Sequence, residues 1–566
     1  MVVVLVAIGV MLLPPGHKKV HPPNDDPWVL VSYDPDNPYG TYLGNGFIST
    51  RIMGDGVGSQ TKTMPDGTIK TEPLPCYMAG LYDDEKLILI PTWSDLRFYD
   101  GKKQFVIDRN ADYKQTLDMR TGILTTEATW RAGRKTLTGK IEVIVSRAQP
   151  NVGLVRATLT PNFDGRVLAE TLIQSSPPNI DVYAHGAPHA VRPPSGYREP
   201  YVFLGRTKSS KVDIHLALMH ARSKGWSVTR KGDLRGYSES RSVESGEAFD
   251  VASVALVDVR NPRALAQAVK AMDVEGLIAA HKAAWAKLWE KDTKIDGPKK
   301  DQQALHSCMF YLLQSVREGS QWSIPPMGLS NNTFSGHVFW DADTWMFPAL
   351  ILQHPELARS IVDYRYYTLK GAMENAKASG YAGAEYAWES GMTGREDTPP
   401  GLVYRHERHI NGDVALAQWQ YYLATGDLAW LKSRGLPVIR ATADYWVSRV
   451  TKNANTGLYE IKRVIPPDEN ADLVDNSAYT NAIAAMNLRI ADRAARLCGA
   501  RPNPKWTEIA GKIGANMKGI MTELNQPEKR TAAPVVIDNL IEPAQAVLTE
   551  YLFLSKKAVS AVTPRP

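Results

Sequence analysis

The chain has 566 residues, more than one ordinary hydrophobic core accommodates, so two or more domains are expected. Its 43% hydrophobic and 22% charged content is that of a soluble globular protein. A net charge of +6 is small for this length and no basic block stands out, which removes electrostatic support for nucleic-acid binding. Cys76, Cys308 and Cys498 lie far apart and show no metal-ligand spacing, which argues against a disulfide framework. Fourteen Trp and 24 Tyr against 11 Phe favour rings with a polar handle, as sugar-binding clefts do.

The N-terminus, "MVVVLVAIGVMLLPPGHKK", is too short an apolar run to span a bilayer. It matches a secretory h-region in length but lacks the basic n-region and a small-x-small cleavage site. Export is one reading of this leader, residues 1–24; a cytoplasmic chain with a misassigned start codon is the other. Residues 25–262 read as β structure. "TLTGKIEVIVS" alternates, with Leu137, Ile141, Val143 and Val145 on one face, and "KVDIHLAL" does so through Val212, Ile214, Leu216 and Leu218. Short strands with Gly, Pro, Asn and Asp turns, without βαβ alternation, predict a large antiparallel sandwich.

The period changes near residue 262. The Ala- and Lys-rich stretch that follows predicts a helical connector, residues 263–302, packed against both halves. Amphipathic helices follow in 303–566. Pro355 opens one at its first position, Leu357, Ile361 and Tyr364 mark its buried stripe, and Gly380 follows its end. Further helices are expected at 304–318, 412–425, 436–450, 477–498 and 504–522. The long loops 319–343, 380–411 and 452–476, rich in Trp, Asp, Glu and Gly, are expected to carry function.

One loop, "RVIPPDENADLVDNSAYTNA" at 463–482, puts Asp468 and Glu469 side by side after two prolines. A solvated turn, a cation loop and a catalytic acid compete to explain it. Asp468, Asn470 and Asp472 have EF-hand spacing, but Leu473 stands where that loop needs Gly and Tyr479 where it needs a bidentate Glu, so the cation reading fails. Other acids cluster with rings: "GHVFWDADTW" has Trp340, Asp341, Asp343 and Trp345; "GAEYAWESGMTGRED" has Glu385, Trp388 and Glu389; "RHERHINGD" has His406, His409, Asn411 and Asp413. A pyranose stacks its apolar face on Trp while acids and amides bind its hydroxyls. Any one cluster could be a helix N-cap beside a buried Trp, but their recurrence through the helical half favours a sugar pocket. No GxSxG, HExxH, P-loop or dinucleotide fingerprint competes.

The blocks "HVFWDADTWMFP", "RYYTLKGAMENAKASGYAGAEYAWES", "HINGDVALAQWQYY" and "PPDENADLVDNSAYTN", in that order, resemble glycoside hydrolase family 65, and "YLGNGFISTRIMGDG" resembles the start of that family's N-terminal sandwich. The family includes disaccharide phosphorylases, acid trehalases and the glucosidase acting on glucosyl-galactosyl-hydroxylysine of collagen; "DTWM" and "HINGDV" resemble the last most. The resemblance implies a multidomain α+β chain with an antiparallel β-sandwich, a helical linker and an (α/α)6 barrel, and inversion at the anomeric carbon. It implies Glu469 as general acid, Trp340 and Asp341 in the pocket for the nonreducing glucose, and Trp388, Glu389 and His409 at its rim. The implied partner is a disaccharide or glycan with terminal α-linked glucose, with no nucleic acid, membrane, metal or organic cofactor.

Glu469 must hold its proton near neutral pH to protonate the leaving oxygen, and Asp468 is expected to help by its like charge. Inverting hydrolysis also needs a second carboxylate roughly 6.5–9.5 Å away to activate water. In the family this group lies downstream of the "PDE" block, and the chain reaches Pro566 first, with fewer helices than a closed barrel requires, so a truncated barrel is expected. Asn470 and Ala471 replace the family's usual Tyr-His, and Glu542, Pro543, Ala544 and Gln545 stand where its "KQAD" block belongs. An inverting disaccharide phosphorylase and a carbohydrate-binding pseudoenzyme are the alternatives to a hydrolase.

Overall fold

The computed structural model describes residues 24–513 except 67, 175–176, 187–200, 221–225, 232–233, 258–272, 402 and 470–472. The leader, the start of the connector, residues 470–472 and the 542–545 block therefore lie outside the described residues.

The expected period-2 strands form two antiparallel sheets. In the larger, Val29–Ser32, Lys114–Asp118, Ile123–Ala132, Lys135–Val145, Val152–Pro161, Phe249–Val257, Asp213–His220, Tyr201–Thr207 and Ile180–Gly186 lie side by side, and Val106–Ile107 joins at Ile123–Ala132. The smaller runs Trp226–Lys231, Leu234–Val243, Gly165–Gln174, Arg97–Asp100 and Lys103–Gln104. Alternation fills the space between them: Leu137, Ile141, Val143 and Val145 are buried in one core with Val167, Ala169 and Tyr237. Ile214, Leu216 and Leu218 join them, and Val212 packs partly buried at the edge. Burying such a β-branched or leucine side chain is worth about 1.5–3 kcal/mol.

The outer face of the larger sheet is also covered, by helix α1 (Val274–Trp289), whose Asp273 caps it by accepting from the Glu275 N–H. Val274 and Leu277 bury against Ile144, Leu154, Val254 and Leu256. The far end of α1 reaches the helical half: Trp285 stacks on Phe310 at 4.8 Å, and the Trp289 indole donates to the Met119 carbonyl at 2.9 Å. Helix α1 thus touches both halves.

The longer helices that follow are α2 (Lys299–Leu313), α3 (Phe347–Gln353), α4 (Pro355–Tyr367), α5 (Leu369–Ala378), α6 (Ile410–Thr425), α7 (Leu436–Arg449), α8 (Ala478–Leu497) and α9 (Pro504–Ile513). Three details differ from expectation. The first runs about five residues earlier in the chain than predicted, starting after Pro298. The helix expected over 355–379 is interrupted at Thr368, whose hydroxyl donates to the Tyr364 carbonyl (2.8 Å), with Gly380 in the left-handed region beyond its end (φ +81°). Part of the expected loop after residue 340 is helical: a π-turn over Ala342–Met346 leads into α3, with Pro348 near its start. Helix α6 is buried along much of its length and packs against α4, α7 and α8, so whatever precedes its N-terminus is held rigidly.

The "YLGNG" stretch is the sandwich's docking strip. The Gly46 N–H donates to the Gln314 carbonyl (2.7 Å) at φ +78°, and a Cβ there would lie 2.4 Å from the Val316 carbonyl, so only glycine fits. No helix among the described residues is long and apolar enough to cross a membrane.

Candidate active site

Four separate chain segments, around 337–345, 385–397, 406–413 and 461–479, build one acidic, aromatic site. The first two are joined by a short antiparallel bridge, Val338 with Ser390, whose N–H and carbonyl groups pair at 2.8 and 3.3 Å. That bridge lays "FWD" beside "WES" and brings the Trp340 and Trp388 rings to 6.3 Å. Behind them the fully buried Arg365 donates to Asp343 and to the Phe339 carbonyl (2.8 Å), and the Tyr364 hydroxyl donates to the Gly391 carbonyl (2.6 Å). Asp343 is therefore a structural anchor. Glu385 is another, paired with Arg408 at 2.6 Å, and Asn411 accepts from the Tyr386 N–H at 2.8 Å.

The third segment sits at the start of α6. The buried His409 lies edge-on to Trp340 (4.7 Å) and Trp388 (5.7 Å). Its Nδ1 is 2.7 Å from Asp413 Oδ2 and its Nε2 is 3.2 Å from Glu407 Oε2. Burial opposes the imidazolium, but these two carboxylates outweigh it and raise His409 to about 9, so it is charged at neutral pH.

The fourth segment carries Glu469. A pairing of Val464 with Val474 (3.0 and 2.9 Å) closes the loop at its base, and the Ile465 N–H donates to the His406 carbonyl at 3.0 Å. The loop is thus pinned to the segment bearing His409. Ser477 then caps α8 by accepting from the Thr480 N–H. Glu469 itself is exposed. Its carboxyl is nevertheless raised above the ordinary glutamate value, first by partial desolvation and then by the negative charge of Asp341, with His409 opposing. Burial also raises the half-buried Asp341. A like charge acting on Glu469 thus comes from Asp341, on another segment.

Trp340, Trp388 and His409, singled out from sequence, thus meet in one ring cluster, and Asp341 and Glu469 meet through their charges. Glu389 follows Trp388 and is held by His337, whose Nδ1 lies 3.0 Å from Glu389 Oε2. His337 is in turn fixed from the sandwich side: its Nε2 is 3.1 Å from the carbonyl oxygen of Glu85, in the tight turn between strands Cys76–Asp83 and Lys86–Ile90. Trp345 lies edge-on to Trp340 at 5.5 Å and is 64% exposed, an outer wall.

Two residues escaped the sequence reading. Tyr479 reaches His409 (5.3 Å) and Trp340 (6.2 Å), and its hydroxyl donates to Asp413 Oδ1 at 2.8 Å. Its place in the first turn of a helix after a capping Ser was the available signal. Glu407 lies within "RHERHINGD", two residues from His409, and burial raises its carboxyl to about 7 against the pull of His409, with Glu469 and Asp341 adding to the rise.

Comparison with known proteins gives a consistent family. Residues 40–288 match the N-terminal domain of glycosyl hydrolase family 65, and residues 307–558 match its central catalytic domain. A kojibiose hydrolase from Flavobacterium johnsoniae is 32% identical over 513 residues, 87% of this chain and 72% of that one. A protein-glucosylgalactosylhydroxylysine glucosidase from Danio rerio is 41% identical over 288 residues, 48% of this chain and 42% of that one. A solved structure described as a putative kojibiose phosphorylase from human microbiome superposes with a TM-score of 0.74 at 17% identity, covering 87% of this chain and 70% of that one, which shows a shared fold. With sandwich, helical half and motif order in agreement, the chain belongs to glycoside hydrolase family 65.

Proposed function

We propose that the protein is an inverting glycoside hydrolase that releases a terminal α-linked glucose from a disaccharide or glucosylated acceptor. The observation that carries this reading is Glu469, a carboxyl kept protonated beyond its usual range by partial desolvation and by Asp341, within electrostatic reach of a cluster formed by Trp340, Trp388, His409 and Tyr479. The nonreducing glucose lies against the tryptophan rings, with Asp341 and Glu389 holding its hydroxyls and the charged His409, both of its nitrogens taken by Asp413 and Glu407, backing the rings. Glu469 gives its proton to the glycosidic oxygen as the C1–O bond breaks. Water adds to C1 from the opposite face and gives its proton to the second carboxylate that inversion requires, so the products are β-glucose and the free acceptor hydroxyl.

A second reading, phosphorolysis, is favoured by one finding: a kojibiose phosphorylase from Halothermothrix orenii is 29% identical over 494 residues, 79% of this chain and 62% of that one. Phosphate would then replace water and the product would be β-glucose 1-phosphate. The deciding experiment is an early-time proton NMR assay on kojibiose and other α-glucosyl disaccharides, with and without phosphate. β-Glucose without phosphate supports the hydrolase, and phosphate-dependent β-glucose 1-phosphate the phosphorylase. α-Glucose as first product overturns inversion. Glucose binding without any turnover favours a carbohydrate-binding chain.

A further inference from the structure

We propose that Glu407 is a sugar-binding residue of this site, its Oε1 accepting a hydrogen bond from one hydroxyl of the bound glucosyl unit. The assignment rests on the α-glucoside reading above and extends it to a side chain bonded to His409 of the ring cluster.

Glu407 is 1% exposed, and its two oxygens have different fates. Oε2 faces His409 Nε2 at 3.2 Å, whereas Oε1 is buried with no hydrogen-bond partner among the described residues. A carboxylate oxygen left dry and unpartnered forfeits its hydration without compensation, so a donor is expected to reach it. Two other buried carboxylates also have an oxygen without a hydrogen bond, Asp95 Oδ2 and Glu385 Oε2, but each belongs to a carboxylate paired with an arginine, Arg97 (2.8 Å) or Arg408 (2.6 Å). The ion partner of Glu407 is His409, which it shares with Asp413. Asp413 at 2.7 Å and the packed start of α6 already orient that imidazole, so holding His409 does not account for the idle oxygen.

The surroundings indicate which donor is missing. The imidazole bonded to Glu407 meets Trp340 and Trp388 edge-on, and the charges of Asp341 and Glu469 are felt at its carboxyl. Glu407 is therefore one imidazole removed from the tryptophans against which a pyranose would lie, and a sugar hydroxyl is a neutral donor suited to its free oxygen. A buried ammonium or guanidinium would instead face the positive charge of His409.

The test is equilibrium binding of glucose and its 2-, 3-, 4- and 6-deoxy analogues, read by tryptophan fluorescence, to the wild-type chain and to Glu407→Met, which keeps the bulk and removes both oxygens. One deoxy analogue is expected to bind the wild type about tenfold or more weakly. The Met variant should lose a similar factor for glucose and nothing further for that analogue. Equal losses across the whole series on going from wild type to variant overturn the assignment while leaving the pocket intact. Absence of glucose binding in the wild type overturns the α-glucoside reading and this assignment with it. Should Glu407→Met fail to fold, as judged by circular dichroism, Glu407→Gln is read on the same series, with the penalty narrowing at one position only.

Discussion

At the scale of residues, chemistry depends on charges facing one another from different segments. As the proposed acid, Glu469 would act only while protonated, a state that partial desolvation and Asp341 favour and the His409 imidazolium opposes. Glu469→Gln is expected to lower kcat on unactivated glucosides about 10²–10⁴-fold while glucose binding survives, a split that steady-state kinetics beside a binding titration would reveal. Removing the positive charge in His409→Gln should raise the Glu469 pKa, so the alkaline limb of the kcat profile moves to higher pH; a limb that stays or moves down counts against the assignment. His409 also contributes to stability. Its folded pKa of about 9 exceeds the ordinary 6.5, so its stabilisation is complete below about 6.5 and is lost as pH rises through 9. The melting-temperature gap between wild type and His409→Gln should therefore shrink between those values.

At the scale of elements, the site loops are rigid because other elements reach into them. The sandwich hairpin Cys76–Asp83/Lys86–Ile90 is the clearest case. Tyr82 donates its hydroxyl to the Gly336 carbonyl at 2.8 Å, and Glu85 accepts from the Thr393 N–H at 3.0 Å. A Cβ on Gly391 would stand 2.4 Å from the Glu85 carbonyl oxygen. Gly391→Ala should push turn and loop apart, costing about 1–3 kcal/mol in a denaturant titration and raising KM through the displaced His337–Glu389 pair. Most of the helix positions were legible in sequence, because a buried stripe, a Pro near the start and a Gly past the end are local signals. The π-turn at Ala342–Met346 was not, since it follows from Arg365 gripping Asp343 and Phe339 from another helix.

At the scale of the whole molecule, the two halves are joined through buried polar contacts. Arg147 is buried, has no carboxylate partner among the described residues, and donates through Nη1 to the carbonyls of Asn45 (3.0 Å), Leu313 (2.8 Å) and Val316 (2.9 Å); burial and the nearby Arg317 lower it to about 9. Arg147→Met would strand those carbonyls and should cost about 3 kcal/mol. Calorimetry would read that loss as an earlier transition. Sequence alone determined what is written in short contiguous patterns: strand alternation, helix caps, and the ordered blocks holding Trp340, Asp341, Trp388, Glu389, His409 and Glu469. Only the tertiary structure decided which of their neighbours anchor and which line the site, since that depends on partners far away in the chain. Asp343 became an anchor through Arg365, Asp341 brought a charge to bear on Glu469 from another segment, and Glu407 was left with one buried oxygen unpartnered among the described residues. Periodicity reports which way a side chain points relative to its own backbone, whereas electrostatics and hydrogen bonding depend on what the rest of the fold brings to meet it.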